Sequence, residues 1–505
     1  MSTLLDRHAS KISGVLSCYD RVVIQGTLPG LCYAKGMADF LWSRKVRLFD
    51  YPLFAAPYCD QIRKNAERLA KEHGFKIEFV RRTKIRKDDL IAEVIAKRGD
   101  HPGLVHILSA MEACPSYRPG FDKQAGKAFL KPSTGKCLHY YFYFIDPDVG
   151  LCYVRVPTWC PFRLQVYFNG HNPLAAKLRA AGIEYRMLDN AFIHVADLQE
   201  AQRLSDVMDV TKLHSLLDRY AALCCPPATS LELRYHWSLM QVEYATDIVF
   251  KRQADLAPIY DVISRTAIHA VKAENVATFL GRKLTGAYQD EMGNNFSTRI
   301  EGTRIKHVMG SVSIKMYDKR GIILRIETTA NDVSFFRHHR TVEQKNGQRV
   351  FKLAPLQKSI YSLNDLRDLM VAANRRYLEF ISELEDPSAG TKVLRKITGP
   401  AAENGRNYRG FNFFSPDDDS ILCALVRGEF TISGLRNKDL RCHLTAAKPA
   451  WISRCLKRLR IHGLIKRIGL TYKYYITELG RRVVLTGLKL REMVIIPALA
   501  QPAAP

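Results

Sequence analysis

In the last ninety residues of the chain, apolar side chains recur at helical spacing three times and then switch to the alternation of two short strands. That order leaves few folds open, because a helical stripe and a strand face bury their apolar sides in different geometries. Asp417, Asp418 and Asp419 after Pro416 begin an apolar-periodic helix over Ile421 to Val426 that turns Leu422 and Leu425 inward and stops at Gly428. A short second helix is expected over 437–443. A third, over 449–462, points Ile452, Leu456 and Leu459 inward and Arg454, Lys457, Arg458 and Arg460 outward, and ends at Gly463. Leu464 to Arg467 and Thr471 to Ile476 then pair around a tip at Ile468, Gly469 and Leu470, and Thr477 starts a closing helix.

Within that order, His462-Gly463-Leu464-Ile465-Lys466-Arg467 and Tyr474-Tyr475-Ile476-Thr477-Glu478-Leu479-Gly480-Arg481-Arg482 resemble the winged helix-turn-helix of MarR-like bacterial transcription regulators. The wing is short and lacks the acidic-then-arginine tip of many such regulators. The resemblance implies a domain over 414–490 that reads duplex DNA in transcription regulation, and a homodimer is compatible with it. The residues expected on DNA are Arg454, Lys457, Arg458, Arg460, Lys466, Arg467 and Lys473. The alternative, a winged helix that docks a protein, suits this helix less, because docking faces are depleted in charge at their centre.

The whole chain is basic, with 76 Lys and Arg against 50 Asp and Glu, a formal charge of +26. From Pro416 onward there are 16 basic and 7 acidic residues, so +9 lies in the tail and +17 upstream. A second polyanion-binding surface is therefore expected upstream, where basic residues cluster at Arg81-Arg82-Thr83-Lys84-Ile85-Arg86-Lys87 and at Arg375-Arg376. No segment is apolar enough for a membrane span, and Met1 to Gly14 has no apolar signal core, so a cytoplasmic address is expected. The 12 cysteines include no Cys-x-x-Cys pair, which favours buried free thiols over a metal site.

With 505 residues and 47% hydrophobic content, the expected fold class is α+β with several domains. Residues 1–225 read as an α/β domain, in which Arg21 to Gly26, Phe75 to Val80, Leu104 to Leu108, Leu138 to Ile145 and Leu151 to Val156 are strands. Cys224-Cys225-Pro226-Pro227 marks a boundary. Residues 230–386 read as a mixed α+β domain with a polar sheet face: a long strand over 235–250, two helices, three short strands over 304–328 and a helix over 363–384. The Gly-, Asn- and Arg-rich stretch within 387–413 reads as a linker.

Period-two spacing puts Glu243 and Asp247 on one face of their strand, Lys315, Tyr317 and Lys319 on one face of theirs, and Arg325 and Glu327 on one face of a third. If the strands pair, these groups converge. Ile314-Lys315-Met316-Tyr317-Asp318-Lys319 and Leu324-Arg325-Ile326-Glu327 resemble strands of rolling-circle replication initiators from phages and plasmids, which implies a tyrosine that cuts DNA. Those enzymes usually carry a His-x-His metal pair, and this chain has none, only the adjacent His338 and His339. Phosphodiester transfer needs a nucleophile, cations and metal-holding carboxylates. Tyr317 with Lys315, Lys319 and Arg325 would supply the first two, the lysines lowering the phenol pKa. Glu243, Asp247 and Glu327 would supply the third, with Mg or Mn as the cofactor of this enzymatic alternative.

Tyr377 beside Arg375 and Arg376 is a second nucleophile candidate. Asp20, Glu112, Asp146, Asp148 and Asp189 form a further carboxylate set, whose hairpin members read as turn formers. Thr158-Trp159-Cys160-Pro161-Phe162-Arg163 and Phe168-Asn169-Gly170-His171-Asn172 could stack and bond unpaired bases, which keeps single-stranded nucleic acid or RNA as partners. No glycine loop with Lys-Ser/Thr is present, so an ATPase is not expected. Two functions follow: a regulator that reads duplex DNA, or a mobile-element or replication-initiation protein that cuts or joins strands with its middle domain.

Overall fold

An eleven-stranded sheet organises residues 1–385 of the computed structural model. The structure describes residues 4–81, 86–282, 292–299, 302–382, 387–427, 430, 434–445, 447–469, 471–496 and 499. Arg82, Thr83, Lys84 and Ile85 of the basic cluster, Leu384, Gly428 and the wing-tip Leu470 lie outside the described residues. The chain separates into two compact units, residues 1–385 and 386–505.

In the first unit, β1 (Ile12–Thr27), β2 (Glu78–Phe79), β3 (Gly103–Asp122), β4 (Lys127–Asp146), β5 (Gly150–Pro157) and β6 (Leu164–Phe168) precede a small hairpin of β7 (Tyr185–Met187) and β8 (Phe192–Val195). Then come β9 (His236–Phe250), β10 (Met292–Arg299), β11 (Gly302–Met309), β12 (Val312–Lys319) and β13 (Ile323–Ala330), and a separate ribbon of β14 (Arg337–Glu343) and β15 (Arg349–Pro355). The sheet order is β10-β11-β12-β13-β9-β1-β6-β5-β4-β3-β2, with β2–β3 its parallel pair. The boundary expected at Cys224 to Pro227 divides no sheet. β9 pairs with β1 from Ile12↔Phe250 to Thr27↔His236, so the expected domains 1–225 and 230–386 share one sheet and one core. Local composition marks the turn but not the long-range pairing that crosses it.

The two faces of the sheet differ. One carries Val22, Ile24, Val154, Phe142, Tyr244 and Ile326 into the main core, under the helices Tyr51–Glu72, Val210–Cys224, Gln253–His269 and Leu363–Ser382. On the other face, Leu16 and Cys18 are covered by the helices His171–Ala180 and Leu198–Asp206, and Leu108, Tyr141 and Tyr143 by Ile91 of the helix Lys87–Arg98. Between those covers the second face is polar.

The second unit begins inside the stretch read as a linker. Residues Pro387–Thr398 form a helix, and β16 (Ala401–Glu403) pairs with β17 (Arg406–Tyr408). Helices Pro416–Leu425, Asn437–Arg441 and Pro449–Ile461 follow, then β18 (Ile465–Arg467) paired with β19 (Tyr474–Ile476) and the helix Glu478–Leu490. Ile421, Leu422, Leu425, Ile452, Leu456, Leu459, Leu464 and Val484 form its core, which also takes Ile397 and Phe411 from the supposed linker. Gly463, at φ 76°, ends the Pro449 helix in the left-handed region, and the Leu464 amide donates back to the Leu459 carbonyl. The Thr477 hydroxyl accepts from the Gly480 amide at 2.9 Å and caps the last helix.

All twelve cysteines are free, nine of them buried. Among the described residues no helix is long and apolar enough to cross a membrane.

Candidate functional site

A bulge in β1 builds the polar cluster of the first unit. Tyr19 opposes Tyr244 and Arg21 opposes Glu243, so Asp20 is an extra residue. Tyr19 and Val22 both enter the main core, which leaves Asp20 and Arg21 together on the polar face. Strict alternation would have placed them on opposite faces, and Asp20 is the member of the cluster that the strand periods miss.

The strands pair as the period-two reading requires: Tyr317 opposes Arg325, Arg325 opposes Asp247, and Lys315 opposes Glu327. All seven residues singled out on these strands therefore share one face. Arg325, fully buried, donates from Nε and Nη2 to the two Asp247 oxygens at 2.6 and 2.7 Å, and its Nη1 lies 3.4 Å from Asp20. Arg325 thus locks carboxylates together and is not presented to a phosphate.

Asn169 and His171, read from sequence as base-stacking candidates, belong to the same network. His171 Nδ1 lies 3.3 Å from Asp20, and Asn190 donates to Asp20 as well. Burial pushes the Asp20 carboxyl up, but the hydrogen bond from His171 and the charge of Arg325 outweigh it and leave Asp20 well below the usual range.

Tyr317 donates to Glu327 at 2.8 Å, and Lys315 bonds the other oxygen of Glu327 and lies 3.6 Å from Glu243. The phenol is not activated. Burial first, and the Glu327 charge second, raise its pKa well above the usual value, the reverse of the lowering expected from Lys315 and Lys319. Lys319 bonds Asn190, and burial next to Arg325 brings its own pKa down to about 8. Tyr377 is also no nucleophile: it is fully buried and bonded to His307 Nε2 at 3.1 Å.

Carboxylate oxygens of Asp20, Glu243 and Glu327 lie within 4.8 Å of one another, close enough to share one divalent cation. Burial and the Glu327 charge raise the pKa of Glu243, as expected of two crowded carboxylates. Three cations already serve the four carboxylates: Arg21 lies near Glu243, Lys315 near Glu243 and Glu327, and Arg325 holds Asp20 and Asp247. The other carboxylates of the first region do not join them. Glu112 is held by Lys87, Arg155 and Tyr141, Asp146 by Arg219 and Tyr220, Asp148 by Lys212, and Asp189 by Arg320.

In the second unit, Arg454 and Lys457 are exposed on the Pro449 helix, and neither forms an ion pair among the described residues. Lys466 and Arg467 are exposed on β18 and Lys473 is half-buried beside Tyr475. Arg458 is not outward. It donates to both Asp418 oxygens at 2.6 and 2.8 Å and to the Arg409 and Gly410 carbonyls, with its guanidinium 3.9 Å over the Phe411 ring. Arg460 is held by both oxygens of Glu403 at 2.8 and 2.7 Å. The reason lies outside the helix: residues 403–411 wrap over its flank and, together with Asp418, supply those partners.

No protein-family model, curated protein or solved structure matches this chain.

Proposed function

We propose that the chain binds duplex DNA through its second unit, as a regulator-like winged helix-turn-helix, with the Pro449 helix as reading helix and β18–β19 as wing. The observation that carries this reading is the exposed pair Arg454 and Lys457, without carboxylate partners among the described residues, on a helix whose other two arginines are tied down. Asn437 donates to the Pro449 carbonyl and the Ser453 hydroxyl, which holds the second helix against the start of the third, the arrangement a helix-turn-helix uses to present its reading helix. Anisotropy titrations of full-length protein on duplex and single-stranded oligonucleotides test the reading. Tighter binding to duplex that weakens when Arg454 and Lys457 become alanine supports it; equal binding by the double variant removes this helix from the interface.

The carboxylate trio favours a second reading, in which the first unit cuts DNA strands with a divalent cation, as a mobile-element or replication protein would. Cation binding there requires Lys315 to leave Glu243 and Glu327. A nicking assay with magnesium or manganese tests it on wild type and Glu327→Gln. Cutting lost in the variant is the expected result, and intact substrate with wild type under both metals contradicts this reading.

A further inference from the structure

β3 and β4 are far longer than the sheet they belong to. β2 pairs with β3 only at Leu108 and Ser109, and β5 pairs with β4 only from His139 onward. Past those points, from Met111↔Leu138 to Asp122↔Lys127, the two strands run on as a two-stranded ribbon. At about 3.3 Å per residue its length is about 40 Å, close to one turn of B-DNA. One face of the ribbon is seated along most of that length: Tyr117 and Leu130, the latter opposite Pro119, are buried in the main core, and the Tyr117 hydroxyl donates to the Leu31 carbonyl at 2.7 Å, which leaves the stretch from Gly120 to Phe129 as the free end.

Residues 113–136 carry Arg118, Lys123, Lys127, Lys131 and Lys136 against a single acid, Asp122. Asp122 accepts from the backbone amides of Gln124 and Ala125 and serves the turn. All five basic side chains are exposed, and none forms a hydrogen bond or ion pair among the described residues.

Arg118 and Lys131 are directly opposite on one face, which also holds Lys127 and Phe129. Like charges directly opposed destabilise a ribbon, a cost that a bound anion would offset. Phe121 and Phe129 stand 57% and 42% exposed at the free end, where apolar wedges of DNA-bending ribbons are found. Gly120 leaves room for the Phe129 ring, since a Cβ there would lie 2.7 Å from it. Pro115, Pro119 and Pro132 remove amide donors along the ribbon and work against addition of a strand from a second copy.

We propose that this ribbon is an arm that grips duplex DNA, a second contact made by the same protein; it rests on the duplex-binding reading above. A two-stranded ribbon fits the major groove and can also follow the minor groove, while its lysines meet phosphates.

The test is an anisotropy titration of full-length protein on a mixed-sequence duplex across salt concentrations. It compares wild type, the combined Arg118→Ala, Lys127→Ala and Lys131→Ala variant, and the Arg454→Ala and Lys457→Ala variant. The arm variant is expected to bind at least about tenfold more weakly at physiological salt, with the log–log salt slope shallower by about 0.9 per lost phosphate contact. Lys131→Glu, which removes no packing, is expected to act in the same direction, and the thermal transition of each is expected to match wild type. An arm variant with wild-type affinity and slope, beside a weakened Arg454 and Lys457 variant, overturns the arm and leaves the reading helix standing. A weakened arm variant beside an unaffected Arg454 and Lys457 variant supports the arm and removes the reading helix. Wild type that binds no duplex overturns both.

Discussion

Arg458 faces Asp418 inside the second unit, with two hydrogen bonds between guanidinium and carboxylate and both residues under 8% exposed. Arg458 therefore belongs to the fold of this unit, while Arg454, one turn earlier on the same helix, is exposed.

Alanine at Arg458 removes the main counter-charge of a buried carboxylate and is expected to cost about 3 kcal/mol. Alanine at Arg454 is expected to leave the stability within about 0.5 kcal/mol of wild type. The pair also sets a pH dependence. Burial raises the Asp418 carboxyl, but the bonds from Arg458 and the Asn412 amide prevail and lower its pKa. A lowered folded-state pKa gives stability that is present above the unfolded value, about 3.9, and is lost as pH falls through the folded one. Thermal melts of wild type and Arg458→Ala across acidic pH check both points, and the variant is expected to lose the acid-sensitive part.

A fragment over 387–505 is expected to unfold cooperatively and one starting at Phe414 to be markedly less stable. The shorter fragment lacks Ile397 and Phe411 of the core and the Arg409 and Gly410 carbonyls that accept from Arg458. Calorimetry on the two fragments decides; equal melting temperatures would show that residues 387–413 contribute nothing.

Arg325 joins Asp247 and Asp20 in a fully buried position. Its replacement by methionine is expected to cost about 3–5 kcal/mol in the first unit, because two carboxylates lose their counter-charge. Tyr317→Phe, which removes one hydrogen bond to Glu327, is expected to cost about 1 kcal/mol. Urea unfolding of the two variants gives the comparison.

Burial lowers the pKa of His307 to about 4. The unfolded chain, with histidine near 6.5, therefore binds protons first. Stability of the first unit is full above about pH 6.5 and falls as pH drops toward 4, by about 3 kcal/mol for this group. His307→Gln keeps a partner for Asn294 and Tyr377 and removes the titration. Denaturant midpoints measured over that range are expected to be flatter in the variant.

Much of the fold is legible in the sequence because local period sets local structure. The strand read over 235–250 is His236–Phe250, and the helix read over 449–462 is Pro449–Ile461. The convergence of Glu243, Asp247, Tyr317, Arg325 and Glu327 was also legible, because alternation fixes faces once strands pair. Three features were not. The Asp20 bulge breaks alternation at a single residue, the inward turn of Arg458 depends on a segment forty residues earlier in the chain, and the pairing of β1 with β9 spans more than two hundred residues. Each is decided by tertiary contact, and no local period encodes it.

The duplex-binding account is tested most directly by the salt dependence of DNA affinity in full-length wild type and in the Arg454→Ala and Lys457→Ala double variant. The account predicts a steep log–log salt slope for wild type, and a slope shallower by up to about 1.8 for the variant if both side chains meet phosphates. A slope left unchanged with affinity reduced would place one or both side chains on base edges, at about 1–3 kcal/mol each. Identical affinity and slope in the two proteins would contradict the account.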